Sequence, residues 1–375
     1  MNKERMYQEF MDLVTTDSAS GKEEAIAQKL MPKLEELGFT VSRDNAGELF
    51  GGECGNVIGI REGELDGAIL LSSHMDRVPN GFGIKPVEKD GIVYSDGTTI
   101  LAADDLSGVV AILEGVRGAL AAGKPLPRIE IVFSVGEELN LWGAKGMDVS
   151  MLKSRIGYMF DSPGRTGRVI NGAPGRYDLD VEIFGKPAHA GNEPEKGIDA
   201  AKIMSDMIST LRQGRLDFES TANFPILKTG STARNVVCDY ACFQGETRSR
   251  DRQKLLDYVA YFEEHCTKVA KEAGAEIKIT KYEGFLPFYI AEDDEVMQVV
   301  KQACEAVGVE CKVEVGGGGM DANIYNAQGM FTVGVATGYS KNHTLNEQLI
   351  LEDFYKSGDL AQKIIETYAE RCESK

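Results

Sequence analysis

No stretch of the 375-residue chain approaches the apolar length that a bilayer-spanning helix needs, and Met1-Asn2-Lys3-Glu4-Arg5 lacks the apolar core of a secretory signal. The expectation is a cytoplasmic protein with no membrane partner. Basic tracts are missing as well. With 41 Lys and Arg against 59 Asp and Glu, the formal net charge is −18, which repels polyanions and argues against nucleic acid as a partner. The seven cysteines (Cys54, Cys238, Cys242, Cys266, Cys304, Cys311, Cys372) are odd in number and contain no C-x-x-C pair. That pattern suits reduced thiols better than a disulfide framework or a thiolate zinc site. The run Gly316-Gly317-Gly318-Gly319 has no P-loop lysine behind it, which argues against a phosphate cradle. Neither repeats nor low-complexity segments occur. Histidine is scarce: His74, His189, His265 and His343 are the whole supply.

What is present is a chain long enough for two domains, with 42% hydrophobic residues. Apolar runs at 56–60, 68–73, 128–134, 156–160 and 330–336 read as strands, separated by helical periodicity at 4–16, 23–37, 106–121, 293–307 and 351–371. Strands alternating with helices predict an α/β fold with a mainly parallel sheet, whose chemistry gathers at the carboxyl ends of the strands. Between about 176 and 283 the order changes to βαββαβ: strand 177–184, helix 196–211, strands 224–228 and 236–246, helix 250–273 and strand 276–281. This is the order of a ferredoxin-like unit. It predicts an inserted domain, 176–283, within a discontinuous first domain of 1–175 and 284–375.

Acids and imidazoles recur where those strands end. The run Leu70 to Pro79 delivers His74-Met75-Asp76, and residues two apart on a strand share a face, so His74 could bind a metal while Asp76 holds its ring. Asp104-Asp105, Glu137-Glu138, Asp161 and His343 occupy comparable places. Carboxylates converging in such number repel one another unless cations compensate. Imidazole and carboxylate without thiolate suit Zn²⁺, Co²⁺ or Mn²⁺, and a two-ion site needs a shared carboxylate, further ligands for each ion and a base. Successive side chains diverge at a strand end. One of Glu137 and Glu138 could therefore bind metal while the other stands beside an attacking water.

His74-Met75-Asp76, Ala103-Asp104-Asp105, Gly136-Glu137-Glu138, Phe160-Asp161-Ser162, Gly318-Gly319-Met320-Asp321 and Asn342-His343-Thr344 occur in the order and approximate spacing of the M20 metallopeptidase family. Over nearly its whole length the chain resembles that family's peptidase T, or tripeptide aminopeptidase, branch. The resemblance implies a zinc-exopeptidase catalytic domain with an inserted ferredoxin-like lid. It implies two zinc ions bridged by Asp104, one also held by His74 and Asp161, the other by Glu138 and His343. Glu137 would be the general base and Asp76 the partner of His74, with a cis peptide at Asp104-Asp105. His189 would stabilise the oxyanion, and Asn235, Arg248 and Gly318 would contact substrate. Arg248 has a plain alternative in a surface salt bridge. A homodimer through the lid is also implied. Asp at position 161 is associated with the aminopeptidase and dipeptidase side of the family. The sequence departs from the peptidase T branch in its shorter chain and in Asp104-Asp105-Leu106-Ser107-Gly108, where that branch has a lysine after the aspartates. The expected activity is release of the amino-terminal residue of short peptides. An amidohydrolase acting on N-acyl amino acids and an inactive metal-dependent binding protein are the alternatives, the latter disfavoured because binding alone has no use for Glu137.

Overall fold

The structure, a computed structural model, describes residues 1–374. The chain divides into two units: Met1–Gly172, Tyr289–Gly316 and Met320–Lys375 form the first, and Ala173–Phe288 with Gly317–Gly319 form the second. Among the described residues, no helix is long and apolar enough to cross a membrane. None of the seven cysteines is in a disulfide.

The first unit is built on a mixed sheet whose strands lie in the spatial order Thr40–Arg43, Val57–Arg61, Pro127–Ser134, Leu65–His74, Ile156–Ser162, Phe331–Ala336 and Arg168–Ala173, with Lys312–Val315 beside the last. The central pairings, from Pro127–Ser134 through Phe331–Ala336, are parallel. Pro127–Ser134 and Ile156–Ser162 are buried at every position, the continuous burial that makes such strands read as unbroken apolar runs. Helix Ala103–Ala121 packs on Leu65–His74 and Ile156–Ser162 and against helix Leu351–Glu373. Its residues from Ala103 to Val116 are all buried, and from Leu106 on they are apolar or small apart from Glu114, the composition of a helix covered on every side. In register, His74 lies opposite Ser134 and Ser162 opposite Ala336. His74, Asp161 and the Glu137-Glu138 pair therefore leave the sheet at one end.

A smaller antiparallel sheet joins Tyr339–Ser340, Gln348–Ile350, Ile92–Ser95 and Pro86–Lys89. Strands of two to four residues carry too little alternation to stand out from turns.

Arg77 fastens the chain just beyond Asp76. Its buried guanidinium donates to the carbonyl oxygens of Val14 (3.0 Å) and Gly81 (3.1 Å), to that of Thr16, and through Nε to the Ser18 hydroxyl (3.0 Å). Arg77→Met would leave these buried acceptors without a donor, at about 1–3 kcal/mol each. A loss of at least about 3 kcal/mol in urea unfolding is expected; a loss below about 1 kcal/mol would show that water replaces the guanidinium.

In the second unit the strands lie in the order Gly214–Arg215, Ser220–Thr229, Tyr240–Ser249, Gly175–Phe184 and Glu276–Phe285, all antiparallel. Without the two-residue edge strand this is the ferredoxin-like order. Helices Ala200–Thr210 and Arg252–Ala273 pack on the sheet. Around Phe224, Phe243 and Phe262 they close a core of their own. Both helices begin later than the sequence suggests, because Asp199 and Asp251 are the caps: Asp199 accepts from the amides of Ala201 and Lys202, and Asp251 from that of Lys254. The third main strand starts at Tyr240 rather than Val236. The amide of Val237 and the carbonyl of Cys238 bond instead to Ala188 and Ala200.

Candidate active site

The site is built wholly within the first unit. Strand Leu65–His74 ends on a buried imidazole, and the two ring nitrogens of His74 have different surroundings. Nδ1 donates to the backbone carbonyl of Asp76 (3.1 Å), which leaves Nε2 facing Asp104 Oδ1 at 3.3 Å and Asp161 Oδ1 at 3.8 Å. The expected ring contact with the Asp76 carboxylate is the longer one, 3.4 Å. That carboxylate is drawn elsewhere. It accepts the amides of Glu137 (3.0 Å) and Glu138 (3.2 Å) and the Ser20 hydroxyl (2.6 Å). Asp76 thus ties the loop carrying both glutamates to the strand carrying His74.

Glycine is required just before that pair. Gly136 has φ +57°, and a Cβ there would come within 2.6–3.0 Å of the Phe50 ring. Its amide donates to Glu23 Oε1 at 3.0 Å, a carboxylate that sequence reading treats only as part of a helix start.

Asp104 lies at the centre. Its Oδ1 faces His74, while its Oδ2 is 3.3 Å from His343 Nε2 and accepts from Asn342 Nδ2 at 2.6 Å. His343 Nε2 is also 2.8 Å from Glu138 Oε1. The peptide Asp104-Asp105 is cis. Ligand atoms of His74, Asp104 and Asp161 lie within 4.8 Å of one another, as do those of Asp104, Glu138 and His343. A third such group, His74 with Glu137 and Glu138, brings the adjacent glutamates to the same imidazole.

The electrostatics reflect this crowding. Burial, reinforced by Asp104, Asp321 and Glu138, pushes the Asp161 carboxyl up to about 8. Burial likewise raises Glu137 and Glu138 above the ordinary carboxylate range. Hydrogen bonds to Asp104 and Glu138 push His343 up to about 10. Asp104 goes the other way: burial opposes its ionisation, but bonds from His343 and His74 hold it low. Burial and mutual repulsion oppose the ionisation of these carboxyls, and bound cations would offset that cost by stabilising the charged forms. The donors of the cluster, imidazole nitrogen and carboxylate oxygen with no sulfur among them, fit zinc, cobalt or manganese.

Residues that sequence reading leaves without a role complete the frame. The Tyr339 hydroxyl donates to Asp161 Oδ1 at 3.1 Å. Asp321, buried, accepts from the Ser134 hydroxyl through Oδ2 while its Oδ1 has no partner; it stands in a quoted motif, the one signal that could have flagged it. Glu347 accepts backbone amides of the Asp104 loop, and nothing in the sequence marks it.

The remaining predicted residues belong to the second unit. His189 and Asn235 are neighbours there, since the amide of Ala190 donates to the Asn235 carbonyl (2.9 Å) and His189 bridges to Val236. The His189 ring nitrogen Nδ1 accepts the amides of Gly191 and Asn192 at 3.2 Å. Arg248 is engaged by Glu246 through two bonds of 2.7 and 3.1 Å, the salt-bridge arrangement. At Gly318 nothing lies within 4 Å of a built Cβ. The neighbour that cannot carry a side chain is Gly319, whose Cβ would meet the Phe285 ring at 2.2 Å.

Residues 70–367 match the sequence profile of peptidase family M20/M25/M40. The chain belongs to this family. This M20 peptidase is 38% identical over 374 residues to YqjE of Bacillus subtilis (strain 168), a protein described as uncharacterized, covering 98% of this chain and 100% of that one. Its fold is similar to the crystal structure of aminopeptidase PepT from Bacillus cereus ATCC 10987, with a TM-score of 0.91 and 37% identity over 98% of this chain and 99% of that one. It is also similar to a tripeptidase from Staphylococcus aureus subsp. aureus mu50, with a TM-score of 0.94 and 32% identity over 99% of both chains. The M20 peptidase is accordingly a hydrolase of a metal-dependent family, and its mixed α/β fold with a mainly parallel central sheet is the one those structures share.

Proposed function

We propose that this M20 peptidase is an aminopeptidase that releases the amino-terminal residue of short peptides with the help of two divalent cations, zinc in the first instance. The observation that carries the reading is that two ligand groups meet in a single carboxylate, Asp104. His74, Asp104 and Asp161 would hold one ion, and Asp104, Glu138 and His343 the other. When bound, such a pair supplies Lewis acidity that polarises the scissile carbonyl and acidifies water. Glu137 takes the proton from the attacking water and returns it to the departing amine. Its raised proton affinity in a desolvated loop suits that exchange. Asp76 keeps Glu137 and Glu138 in place through their amides.

The likeness to structures described as an aminopeptidase and a tripeptidase supports peptides over N-acyl amino acids as substrates. The reading gives His189, Asn235, Arg248 and Gly318 the substrate-contacting role that the resemblance implies, and assigns the second unit to the lid and to a homodimer contact. Cytoplasmic residence belongs to the same proposal. A panel of tripeptides, dipeptides and N-acyl amino acids, offered to the zinc-loaded protein beside a chelated control, tests it. Amino-terminal release from tripeptides that chelation abolishes is expected. Faster turnover of N-acyl amino acids would replace the aminopeptidase by the deacylase, and activity untouched by chelation would remove the metal.

A further inference from the structure

Asp104 is delivered by a loop that an isolated chain would not hold. Ala102 sits at φ +57°, a left-handed conformation unfavourable for a residue with a Cβ. The amides on either side of this bend turn toward one point. Those of Leu101 and Ala102 donate to Glu347 Oε2 at 2.9 and 3.0 Å, and that of Asp104 donates to Glu347 Oε1 at 3.0 Å. Converging backbone amides of this kind make an anion-binding hollow. Here the anion is a side chain of the protein, 1% exposed.

Glu347 does not come from a remote element. It ends the same short turn that supplies Asn342 and His343, both of which contact Asp104 Oδ2. Lys341 and His343 also have positive φ, +58° and +62°, so this turn too is held in a conformation that its sequence does not favour. The two loops are therefore joined twice, by side chains meeting at Asp104 Oδ2 and by the Glu347 carboxylate gripping the backbone behind Asp104.

We propose that Glu347 is a positioning residue for metal binding: by accepting the amides of Leu101, Ala102 and Asp104 it sets where the shared carboxylate stands relative to His343. The inference rests on the two-cation reading above. Partners of this kind, one step removed from the ligands, alter metal affinity about 10–100-fold when lost.

The test uses cobalt(II), followed by its visible absorption and by titration calorimetry on the metal-stripped full chain. The wild type is expected to take up two ions. In Glu347→Gln, which keeps the volume but turns an amide group toward the three donors, the affinity for at least one ion is expected to fall about 10–100-fold, with a changed absorption band. Glu347→Asp, which retracts the carboxylate by one methylene, is expected to do the same and serves if the first variant does not fold. Glu130→Gln is the comparison for a merely structural effect. Glu130 is a buried carboxylate that accepts the amides of Lys153 and Ser154, and its loss is expected to lower the melting temperature while leaving cobalt affinity and spectrum unchanged. Two ions bound by folded Glu347 variants with wild-type affinity and spectrum would overturn the proposal. A wild type that takes up no cobalt would overturn the two-cation reading and this inference together, a result that no Glu347 variant can mimic.

Discussion

Glu137→Ala is expected to retain both metal ions and to lose about 10²–10⁴-fold in turnover, because the substitution removes a proton carrier and leaves the proposed ligands intact. The separation of roles comes from the backbone. The amides of Glu137 and Glu138 are each held by Asp76, so deleting one side chain does not release its neighbour, and Glu138 stays 2.8 Å from His343. Metal content by mass spectrometry and steady-state hydrolysis of a tripeptide are the two readings. Turnover within about tenfold of the wild type would move the base elsewhere. Asp321, a buried carboxylate with one unpartnered oxygen, would be the first group to try. Loss of metal alongside activity would show instead that Glu137 is a ligand, as its place in a group with His74 and Glu138 allows.

Asp104→Ala is expected to do what no other ligand substitution does: empty both metal positions at once. Asp161→Ala and His343→Ala each remove a member of one group, and Asp104 belongs to both. The prediction is a metal content falling from two ions toward none in Asp104→Ala and toward one in the other two variants. Loss of both ions forfeits several kcal/mol of charge stabilisation in the transition state. With about 1.4 kcal/mol per tenfold, turnover falls by at least about 10³-fold. If Asp104→Ala kept one ion tightly, the two groups would be independent and the carboxylate would not be shared. The fold itself should survive, since Asp104 stands at the beginning of its helix rather than in the packed length from Leu106 to Val116.

Much of this arrangement is legible in the sequence because burial on both faces writes itself as uninterrupted apolar residues. That is so for Pro127–Ser134 and Ile156–Ser162, and such strands betray where their ends must be. The acids and imidazoles at those ends stand out for being polar where the preceding residues are not. His74, Glu138 and Asp161 stand out on that ground, and Asp104 and His343 are picked out by the likeness to M20 motifs. Residues that act on the backbone are a different matter. Glu347 and Glu23 accept amides, and any accessible glutamate looks the same in a sequence. Arg77 hides in the same way, its guanidinium buried among carbonyls. Within the run of four glycines the sequence does not say which position lacks room for a side chain: a Cβ at Gly319 would meet the Phe285 ring, whereas nothing lies within 4 Å of one at Gly318.

The grip of Asp76 on consecutive amides sets how interchangeable the acids beside it are. Because Glu137 and Glu138 begin from fixed nitrogen positions, the reach of each is decided by the number of methylenes it carries. An aspartate in either place would stop short, with little freedom in the main chain to bring it forward. Acid strength is nearly the same in the two residue types, so the distinction at these two positions is one of length.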